Sequence, residues 1–403
     1  MAKFRTLDDI DVHGKRVLLR GDLNVPVRGG VVSDATRIER LAPTIEALLE
    51  KGAKVIVMSH FGRPKGGPDP AFSLRPVIAP LRKALGNREI VFANDCIGEE
   101  ARRVVAALRP GQVALLENLR FHKGEEENSS EFAHVLAELG DVYVDDAFSA
   151  AHRAHASIAA LAHLLPAAAG KLMEAELNAL TAALETPLRP VLAIVGGAKV
   201  STKLALLRFI AEKVDTLAIG GAMANTLLFA RGVKVGRSLC ERDMADEARR
   251  LLGFARERNC RVLLPKDAVA APELAAGTTS RTVAIEAVPD DAMILDIGPK
   301  TVAAIAAALE AARTLIWNGP LGAFETPPFD RGTVAIAKKA AELTRAGRLL
   351  SVAGGGDTVA ALAAAGVSDQ LSYVSTAGGA FLEWLEGREL PGVAPLAKAR
   401  GAR

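Results

Sequence analysis

Residues 16–20 (RVLLR) and 21–26 (GDLNVP) form the stretch that decides the fold. The first segment is a short apolar run, and the second begins with glycine and carries polar side chains. Similar apolar runs, each followed by a glycine or polar loop and a segment rich in Ala, Leu, Glu and Arg, recur at 55–58, 89–92, 113–116 and 142–144. Continuous apolar strands, unlike alternating ones, are typical of a parallel sheet that is buried on both faces.

The second half of the chain repeats this pattern. Apolar runs occur at 191–195, 217–219, 262–264, 294–297, 315–317 and 350–353. Strands that alternate with helices indicate βαβ units, and 403 residues exceed the length of one ordinary domain. The sequence therefore predicts an α/β protein with two doubly wound, Rossmann-like parallel-sheet domains joined by an interdomain helix.

The boundary between the halves is expected between residues 164 and 190. Pro166–Gly170 (PAAAG) has the composition of a turn, 171–184 of a long helix, and the prolines of 186–190 (TPLRP) end that helix. We predict a first domain at 1–170, a helix and linker at 171–189, and a second domain at 190–379. The tail from about 380 to 403 is expected to pack back on the first domain.

Composition excludes several classes of protein. The net charge of +3 does not favour wholesale nucleic-acid binding, and three widely separated cysteines form neither a disulfide framework nor a CxxC motif. The first ten residues lack the apolar region of a signal peptide, and no apolar run is long enough to cross a bilayer. We expect a cytoplasmic protein without nucleic-acid or membrane partners.

Polar residues follow the strands of the first half. Ligands bind beyond the carboxyl ends of strands in open parallel sheets, so four arginines and a histidine should converge on one rim. Arginine suits phosphate and carboxylate groups, although each arginine alone could be an ordinary surface ion-pair partner. Arg37 is expected in the first turn of a helix that Ser33 or Asp34 caps. The basic residues are Arg37, His60, Arg63, Arg120 and Arg153.

The second half carries glycine-rich loops instead. Residues 196–203 (GGAKVSTK) follow a strand, and their lysines, Lys199 and Lys203, are expected on one face near a helix start. Cations are disfavoured at that end of a helix, so a phosphate is the natural partner. The stretch 354–358 (GGGDT) places three glycines and Asp357 before another helix, an arrangement that suits phosphate and Mg²⁺. Gly220, Asn318 and Glu325 lie in loops that we expect at the same edge.

Several of these segments resemble the signatures of the phosphoglycerate kinase family. The matching stretches run in order from near the N-terminus to about residue 387 and cover essentially the whole chain. They are 17–26, 59–64, 117–121, 151–157, 196–203, 296–301, 317–320 and 355–358.

The resemblance implies a role for particular residues. Asp22, Asn24, Arg37, His60, Arg63, Arg120 and Arg153 would bind 3-phosphoglycerate. Lys199, Lys203, Gly220, Asn318, Glu325, Gly355, Gly356, Asp357 and Thr358 would bind ATP or ADP. Glu325 would accept from the ribose hydroxyls, and Asp357 would ligate Mg²⁺. Arg37, Lys203, Gly356 and Gly379 would stabilise the phosphoryl group in transfer from 1,3-bisphosphoglycerate to ADP. The family's members are usually monomers.

The sequence departs from the family pattern at three places. The family has Gly-Thr where this chain has Ser149-Ala150, and Gly and Ser where it has Ala377 and Phe381. The change at Ala377 is expected to affect turnover, since it replaces a flexible glycine. A catalytically weakened anion- and nucleotide-binding protein therefore stays the alternative function. An NAD-dependent dehydrogenase is disfavoured, because no Gly-x-Gly-x-x-Gly with a following acid occurs.

Overall fold

The computed structural model describes residues 4–65 and 67–397. The chain separates into two compact units. The first contains the described residues up to Asn178 and those from Glu389 onward, and the second contains Ala179–Arg388. Each unit is built around its own parallel sheet, so the predicted α/β class with two parallel-sheet domains is confirmed.

The described residues of the first unit form eight strands and the helices that connect them. The strands are β1 Arg16–Arg20, β2 Val27–Arg28, β3 Val31–Val32, β4 Lys54–Met58, β5 Ile90–Ala93, β6 Val113–Leu116, β7 Val142–Asp145 and β8 Ala167–Ala169. The helices are α1 Thr36–Glu50, α2 Ile78–Ala84, α3 Gly98–Ala107, α4 Lys123–Glu126, α5 Ser130–Ala137 and α6 Lys171–Leu180, the last of which continues into the second unit.

Six of these strands form one parallel sheet in the order β5-β6-β4-β1-β7-β8. In the centre of the sheet, Arg20 lies opposite Met58 of β4 and Asp145 of β7. The carboxyl ends of these strands therefore meet at one edge, and the loops after β1, β4 and β7 start side by side. Helix α1 packs Ile38, Ile45 and neighbouring apolar residues on the sheet, so the core lies on the sheet face.

The second unit contains nine strands and seven helices. The strands are β9 Val191–Val195, β10 Thr216–Ile219, β11 Arg261–Leu263, β12 Asp267–Ala271, β13 Arg281–Ala284, β14 Met293–Ile297, β15 Thr314–Asn318, β16 Leu350–Gly354 and β17 Tyr373–Ser375. The helices are α7 Leu204–Lys213, α8 Gly221–Ala230, α9 Ala245–Glu257, α10 Pro299–Ala311, α11 Arg331–Arg345, α12 Gly356–Ala364 and α13 Gly379–Leu385.

The second parallel sheet has the order β11-β10-β9-β15-β16-β17. Asn318 at the end of β15 lies opposite Val195 at the end of β9, so the glycine loops after these strands begin together. A separate antiparallel sheet, β13-β12-β14, contains the run 294–297, which we predicted as a strand of the parallel sheet. That prediction is wrong because a short apolar run does not specify its pairing partner.

The segment at the predicted boundary also differs from its interpretation as a turn. Ala167–Ala169 is strand β8, which pairs in parallel with β7, and Thr6 bridges to its last residue. The three alanines are fully buried, so tertiary packing outweighs the low strand preference of alanine. The long helix after it forms as α6 and ends in a π-helical turn at Thr181–Glu185.

The chain end is divided between the two units. Helix α13 packs on α7, so residues 380–388, which we expected with the tail on the first domain, lie in the second unit. Arg5 N–H donates to the Leu396 carbonyl at 2.8 Å, which attaches the later part of the tail to the first unit. In the described residues, no helix combines the length and apolarity that crossing a membrane requires.

Candidate functional site

An aspartate–arginine pair lies beyond the carboxyl end of β1. Arg37 Nη1 donates to Asp22 Oδ2 and to the Asn24 carbonyl oxygen, each at 2.9 Å. The side chain of Arg37 is 42% exposed, so other N–H groups of its guanidinium face solvent and can reach a ligand. Ala35 occupies the N-cap position of α1, and Asp34 accepts the first N–H of the helix at 2.9 Å.

A buried histidine lies beyond the carboxyl end of β4. Arg20 Nη2 lies 3.0 Å from His60 Nδ1, and both side chains are buried. Burial, together with the positive charges of Arg20 and Arg120, holds the pKa of His60 well below its ordinary value. Because arginine only donates, Nδ1 must accept, and the single proton of the neutral ring lies on Nε2. His60 is thereby fixed as a hydrogen-bond donor.

Arg120 joins the loops after β4 and β6. Its Nη1 donates to the Gly62 carbonyl at 2.7 Å, and its Nε lies 3.2 Å from Glu126 Oε1. Burial is the largest influence on the pKa of Arg120 and lowers it, but arginine stays charged in proteins. Arg63 is exposed and Arg153 is partly buried. The predicted acid-binding residues therefore lie on four neighbouring loops of one sheet edge.

A polar network that the sequence patterns did not reveal lies beneath these residues. Ser157 Oγ donates to Glu125 Oε1 at 2.6 Å and accepts from Arg20 Nε at 3.0 Å. His155 lies nearby, and burial together with the neighbouring arginines lowers its pKa to about 4. One signal could have found the network: Arg20 is a charged residue that closes an otherwise apolar buried strand. Burial, together with the charges of Arg20 and the neighbouring arginines, keeps the two histidines neutral, so arginine carries the positive charge of the site.

Close backbone packing explains the glycines of the second unit. A Cβ atom on Gly196 would lie 1.8 Å from the Pro320 carbonyl oxygen, and one on Gly220 would lie 2.4 Å from Leu321 Cδ2. Gly319 has a φ of +101°, and its Cβ would lie 2.2 Å from the Gly196 carbonyl oxygen. Side chains are therefore excluded at these three glycine positions, where the loops after β9, β10 and β15 meet.

Lys203 is held at the junction of two of these loops. Its Nζ donates to the Gly196 carbonyl and to Asn318 Oδ1, each at 2.7 Å. Burial lowers the pKa of Lys203 to about 8, against the opposing influence of the Asp357 charge. The third N–H of the ammonium group is free to bind an anion, which would restore its full charge.

Lys199 and Lys203 do not share a helix face, contrary to our prediction. Helix α7 begins at Leu204 with Lys203 as its N-cap residue, and Lys199 lies exposed in the preceding loop. The glycine-rich segment postpones the helix by several residues, because glycine favours irregular backbone over helix. Only Lys203 is built into the wall of the site.

The triple-glycine segment forms the start of α12. Gly355 is the N-cap residue with a φ of +96°, and Gly356 and Asp357 open the first turn. Thr358 Oγ1 accepts a hydrogen bond from Gly319 N–H at 2.6 Å, which fixes this helix start against the loop after β15. Gly378 likewise caps α13 with a φ of +56°, so Gly379 opens that helix. Both starts present unpaired backbone N–H groups, which suit an anion.

A pocket of about 400 Å³ opens between these loops and the antiparallel sheet. Glu325 and Asp357 line it, and both are exposed. Asn225, which the sequence analysis missed, also lines it, and its buried Oδ1 has no hydrogen-bond partner among the described residues. Apolar side chains complete the wall: Leu239, Leu274, Met293, Leu295, Leu321 and Phe324. A flat aromatic base with polar edges fits such a surface.

Three of the residues that depart from the family pattern fit their surroundings. Ser149 Oγ donates to Asp22 Oδ2, which adds a partner to the Asp22–Arg37 pair. Phe381 is fully buried, and its ring atoms lie 2.7 Å from the position that a Cβ atom on Gly354 would take. Among the described residues, those with positive φ other than glycine are Asn87, Asn128 and Asn259, so Ala377 needs no glycine-specific conformation.

Comparison with known proteins gives a consistent answer. The family model described as phosphoglycerate kinase matches residues 7–388. The chain is 61% identical over 402 residues to a phosphoglycerate kinase of Methylorubrum extorquens, covering 100% of both chains. It is 61% identical over 399 residues to that of Rhodospirillum centenum, covering 99% of this chain and 100% of the relative.

Solved structures show the same fold. Phosphoglycerate kinase from Coxiella burnetii superposes with a TM-score of 0.91 at 44% identity, covering 98% of this chain and 100% of that one. The enzyme from Pyrococcus horikoshii OT3 gives a TM-score of 0.76 at 30% identity, covering 97% and 98% respectively. With full-length matches in sequence and in structure, the chain belongs to the phosphoglycerate kinase family.

Proposed function

We propose that the chain transfers a phosphoryl group from 1,3-bisphosphoglycerate to ADP, with the acid held by the first unit and the nucleotide by the second. Phosphoglycerate kinase activity follows from family membership. The placement of the two substrates rests on the contrast between the sites. One is lined by arginines and neutral histidines, and the other by backbone N–H groups, one lysine and an apolar pocket.

The acid site suits a small, highly charged anion. A molecule with a phosphate and a carboxylate carries about three negative charges, and the guanidinium forks of arginine match both groups. Arg37, Arg63, Arg120 and Arg153 provide the charge, and His60 provides one neutral donor through Nε2. Asp22 and Asn24 orient Arg37, and the Gly62 carbonyl orients Arg120.

In the nucleotide site, the pocket binds the base and ribose, and the helix starts bind the phosphates. The apolar wall takes the base, and Glu325 at its rim accepts from the ribose hydroxyls. The phosphates lie at the N-terminus of α12, next to Lys203 and Thr358. Gly220 lets the loop after β10 approach closely, and exposed Lys199 adds positive charge at the entrance.

The residues present fit a magnesium–nucleotide complex. Mg²⁺ prefers oxygen ligands and is commonly held by one carboxylate together with substrate phosphates. Asp357 offers an exposed carboxylate on the pocket wall, in the first turn of α12. When bound, the ion would neutralise charge on the nucleotide phosphates, and Asp357 would hold it there.

The reaction needs no general base, because the attacking atom is a phosphate or carboxylate oxygen that is already an anion. Catalysis then consists of positioning and of stabilising negative charge on the transferred group. Arg37 and Lys203 provide charged side-chain donors, and the N–H groups of Gly356 and Gly379 provide backbone donors. Removal of one such donor typically slows turnover about 100- to 1000-fold.

The decisive experiment is a coupled assay of ATP-dependent phosphorylation of 3-phosphoglycerate, with and without Mg²⁺. We expect Arg37→Ala and Lys203→Ala each to lower kcat by about 100-fold or more. The exposed Lys199→Ala should chiefly raise the KM for nucleotide. Normal binding of both ligands without turnover in the unmodified protein would instead support the weakened binding protein.

Three further properties belong to the same proposal. The acyl phosphate must be shielded from water, so the two units should close when both substrates are bound. Small-angle scattering should then give a smaller radius of gyration with both substrates than with either one alone. We also propose a cytoplasmic monomer, for which light scattering of the purified protein should give the mass of one chain, 42.2 kDa.

A further inference from the structure

Three potential metal ligands meet at the carboxyl end of the β5–β6 pair, outside the residues assigned above. Asp95 and Cys96 follow β5, and His122 follows the helical turn Leu119–Phe121 after β6. Because β5 and β6 are paired in parallel, with Ala93 opposite Leu116, their following loops start side by side. The topology therefore brings Asp95 and His122, which are 27 positions apart in the chain, into contact.

The three residues are close together, and contacts with one another and with Phe132 hold Asp95 and His122 in place. Asp95 Oδ1 lies 2.6 Å from His122 Nε2 and accepts the Cys96 N–H at 2.6 Å. The ring of His122 stacks on Phe132 with 5.5 Å between centroids. One ligand atom from each of Asp95, Cys96 and His122 lies within 4.8 Å of the other two.

We propose that Asp95, Cys96 and His122 form a binding site for one Zn²⁺ ion. Zinc is commonly bound by three protein ligands with a water molecule in the fourth position. Bond lengths of about 2.0 Å to nitrogen and oxygen and about 2.3 Å to sulfur place tetrahedral ligand atoms roughly 3.5 Å apart. The three atoms are thus within a small side-chain adjustment of a zinc geometry, and the thiolate disfavours Mg²⁺ and Ca²⁺.

Access and chemistry agree with this assignment. The side chains of Asp95 and His122 are 45% and 29% exposed, whereas Cys96 is fully buried. An ion can therefore enter from the Asp–His side and keep a water ligand there, with the sulfur beneath it. Binding releases the thiol proton to solvent and shifts the His122 ring proton from Nε2 to Nδ1, so that two bonds to the metal replace the Asp95–His122 hydrogen bond.

The ion would also stabilise the loop that carries an acid-site arginine. His122 follows Arg120 by two residues, and its N–H donates to the Leu119 carbonyl at 3.2 Å, which closes the turn. A metal bound to His122 would fix the end of this turn. Arg120, within the same turn, donates to the Gly62 carbonyl. If the first unit binds 3-phosphoglycerate, as proposed above, the ion should alter the affinity for this substrate without touching the nucleotide pocket.

Cobalt substitution of the full-length protein tests the site independently of activity. We expect one equivalent of Co²⁺ to give a thiolate-to-metal charge-transfer band, which Zn²⁺ displaces, in buffer with a phosphine reductant. Cys96→Ser should abolish the band. His122→Gln and Asp95→Asn should each weaken Zn²⁺ binding by more than the about 10- to 100-fold that loss of an outer-shell partner costs.

Matched controls come from the same chain. Cys260→Ser and Cys240→Ser, at the two other cysteines, and His134→Gln, at an exposed helix position, should keep both the band and the affinity. The proposed site is wrong if the wild type gives no stoichiometric band. It is also wrong if the band persists in Cys96→Ser and in His122→Gln. Should Cys96→Ser not fold, His122→Gln alone decides.

Calorimetry then tests the effect on the acid site. Protein loaded with one equivalent of Zn²⁺ and freed of excess should bind 3-phosphoglycerate with a changed affinity, and Cys96→Ser treated in the same way should not. Equal affinities with and without zinc, in a protein that shows the cobalt band, would overturn the coupling to Arg120 while the metal site stands. Activity in the absence of zinc tests the proposed function separately.

Discussion

The partly buried ammonium group of Lys203 should make nucleotide binding take up protons from solution. Its pKa is lowered by burial to about 8, from an ordinary value of 10.5. This difference corresponds to about 3 kcal/mol of cost for charging the group in the empty site. A bound phosphate offsets that cost, since an adjacent anion favours the protonated form. The perturbation to test is Lys203→Arg, which keeps the charge but cannot titrate.

The size of the effect follows from the two protonation states. With a pKa of about 8 in the empty site and a value restored to about 10.5 by phosphate, uptake is about 0.1 proton at pH 7, about 0.5 at pH 8 and about 0.9 at pH 9. The nucleotide dissociation constant should consequently rise about tenfold between pH 7 and pH 9. The Lys203→Arg variant should bind more weakly, because its planar fork misfits the lysine contacts, but its binding should not depend on pH.

Calorimetric titration of ADP in buffers with different ionisation enthalpies measures this uptake directly. The exposed Lys199→Arg is the matched control and should take up as many protons as the wild type. Asp296 also lines the pocket, and burial raises its pKa to about 7, so measurements at pH 8 and 9 are the informative ones. Uptake near zero in the wild type, or equal uptake in Lys203→Arg, would refute the reasoning.

Three other variants test the structure. Gly355→Ala should lower the free energy of unfolding by about 1–3 kcal/mol, because φ at this residue is +96° and the new Cβ would lie 2.5 Å from Asn318 Nδ2. Gly356→Ala is the control, since its Cβ meets no atom within 4 Å, and equal melting temperatures of the two variants would contradict the prediction. Burial raises the pKa of Asp145 from 3.8 to about 7, so the stability that its protonated form contributes is lost as pH rises through 7. Urea unfolding should show Asp145→Asn gaining about 2.5 kcal/mol on the wild type from pH 5 to pH 8, and a constant difference would argue against this. Ala377→Gly should raise kcat while lowering stability by about 0.5–1 kcal/mol; an unchanged kcat would show that Ala377 does not limit turnover.

The sheets were predictable because their signal is local. Each parallel strand is a continuous apolar run, and the polar residue after it marks the carboxyl edge, so the candidate ligands of both units could be named before any contact was known. The strand at Ala167–Ala169 and the antiparallel pairing of β14 were not predictable, because burial and partner choice decide them. The start of α7 was misplaced because glycine does not specify where irregular backbone ends.

The contacts beneath the site join residues that are far apart in the chain, so the spacing of residues in the sequence could not reveal them. Arg20 is 137 positions from Ser157 and 40 from His60, yet these contacts determine which ring nitrogen of the histidine carries its proton. The orphaned Oδ1 of Asn225 is likewise visible only once the pocket wall is assembled. The motifs thus named residues proposed to touch ligands, but not the buried residues Arg20, Glu125 and Ser157 beneath them.

The two sites should respond differently to pH, because they hold positive charge by different means. In the acid site the charge is on arginine, and burial keeps His60 neutral and lowers the pKa of His155 to about 4, so neither histidine titrates between pH 7 and 9. In the nucleotide site the charge depends on Lys203, with a pKa of about 8. Over this range the KM for 3-phosphoglycerate should stay level while that for nucleotide rises. Steady-state kinetics with each substrate varied in turn would test this, and parallel pH profiles would show that one group serves both sites.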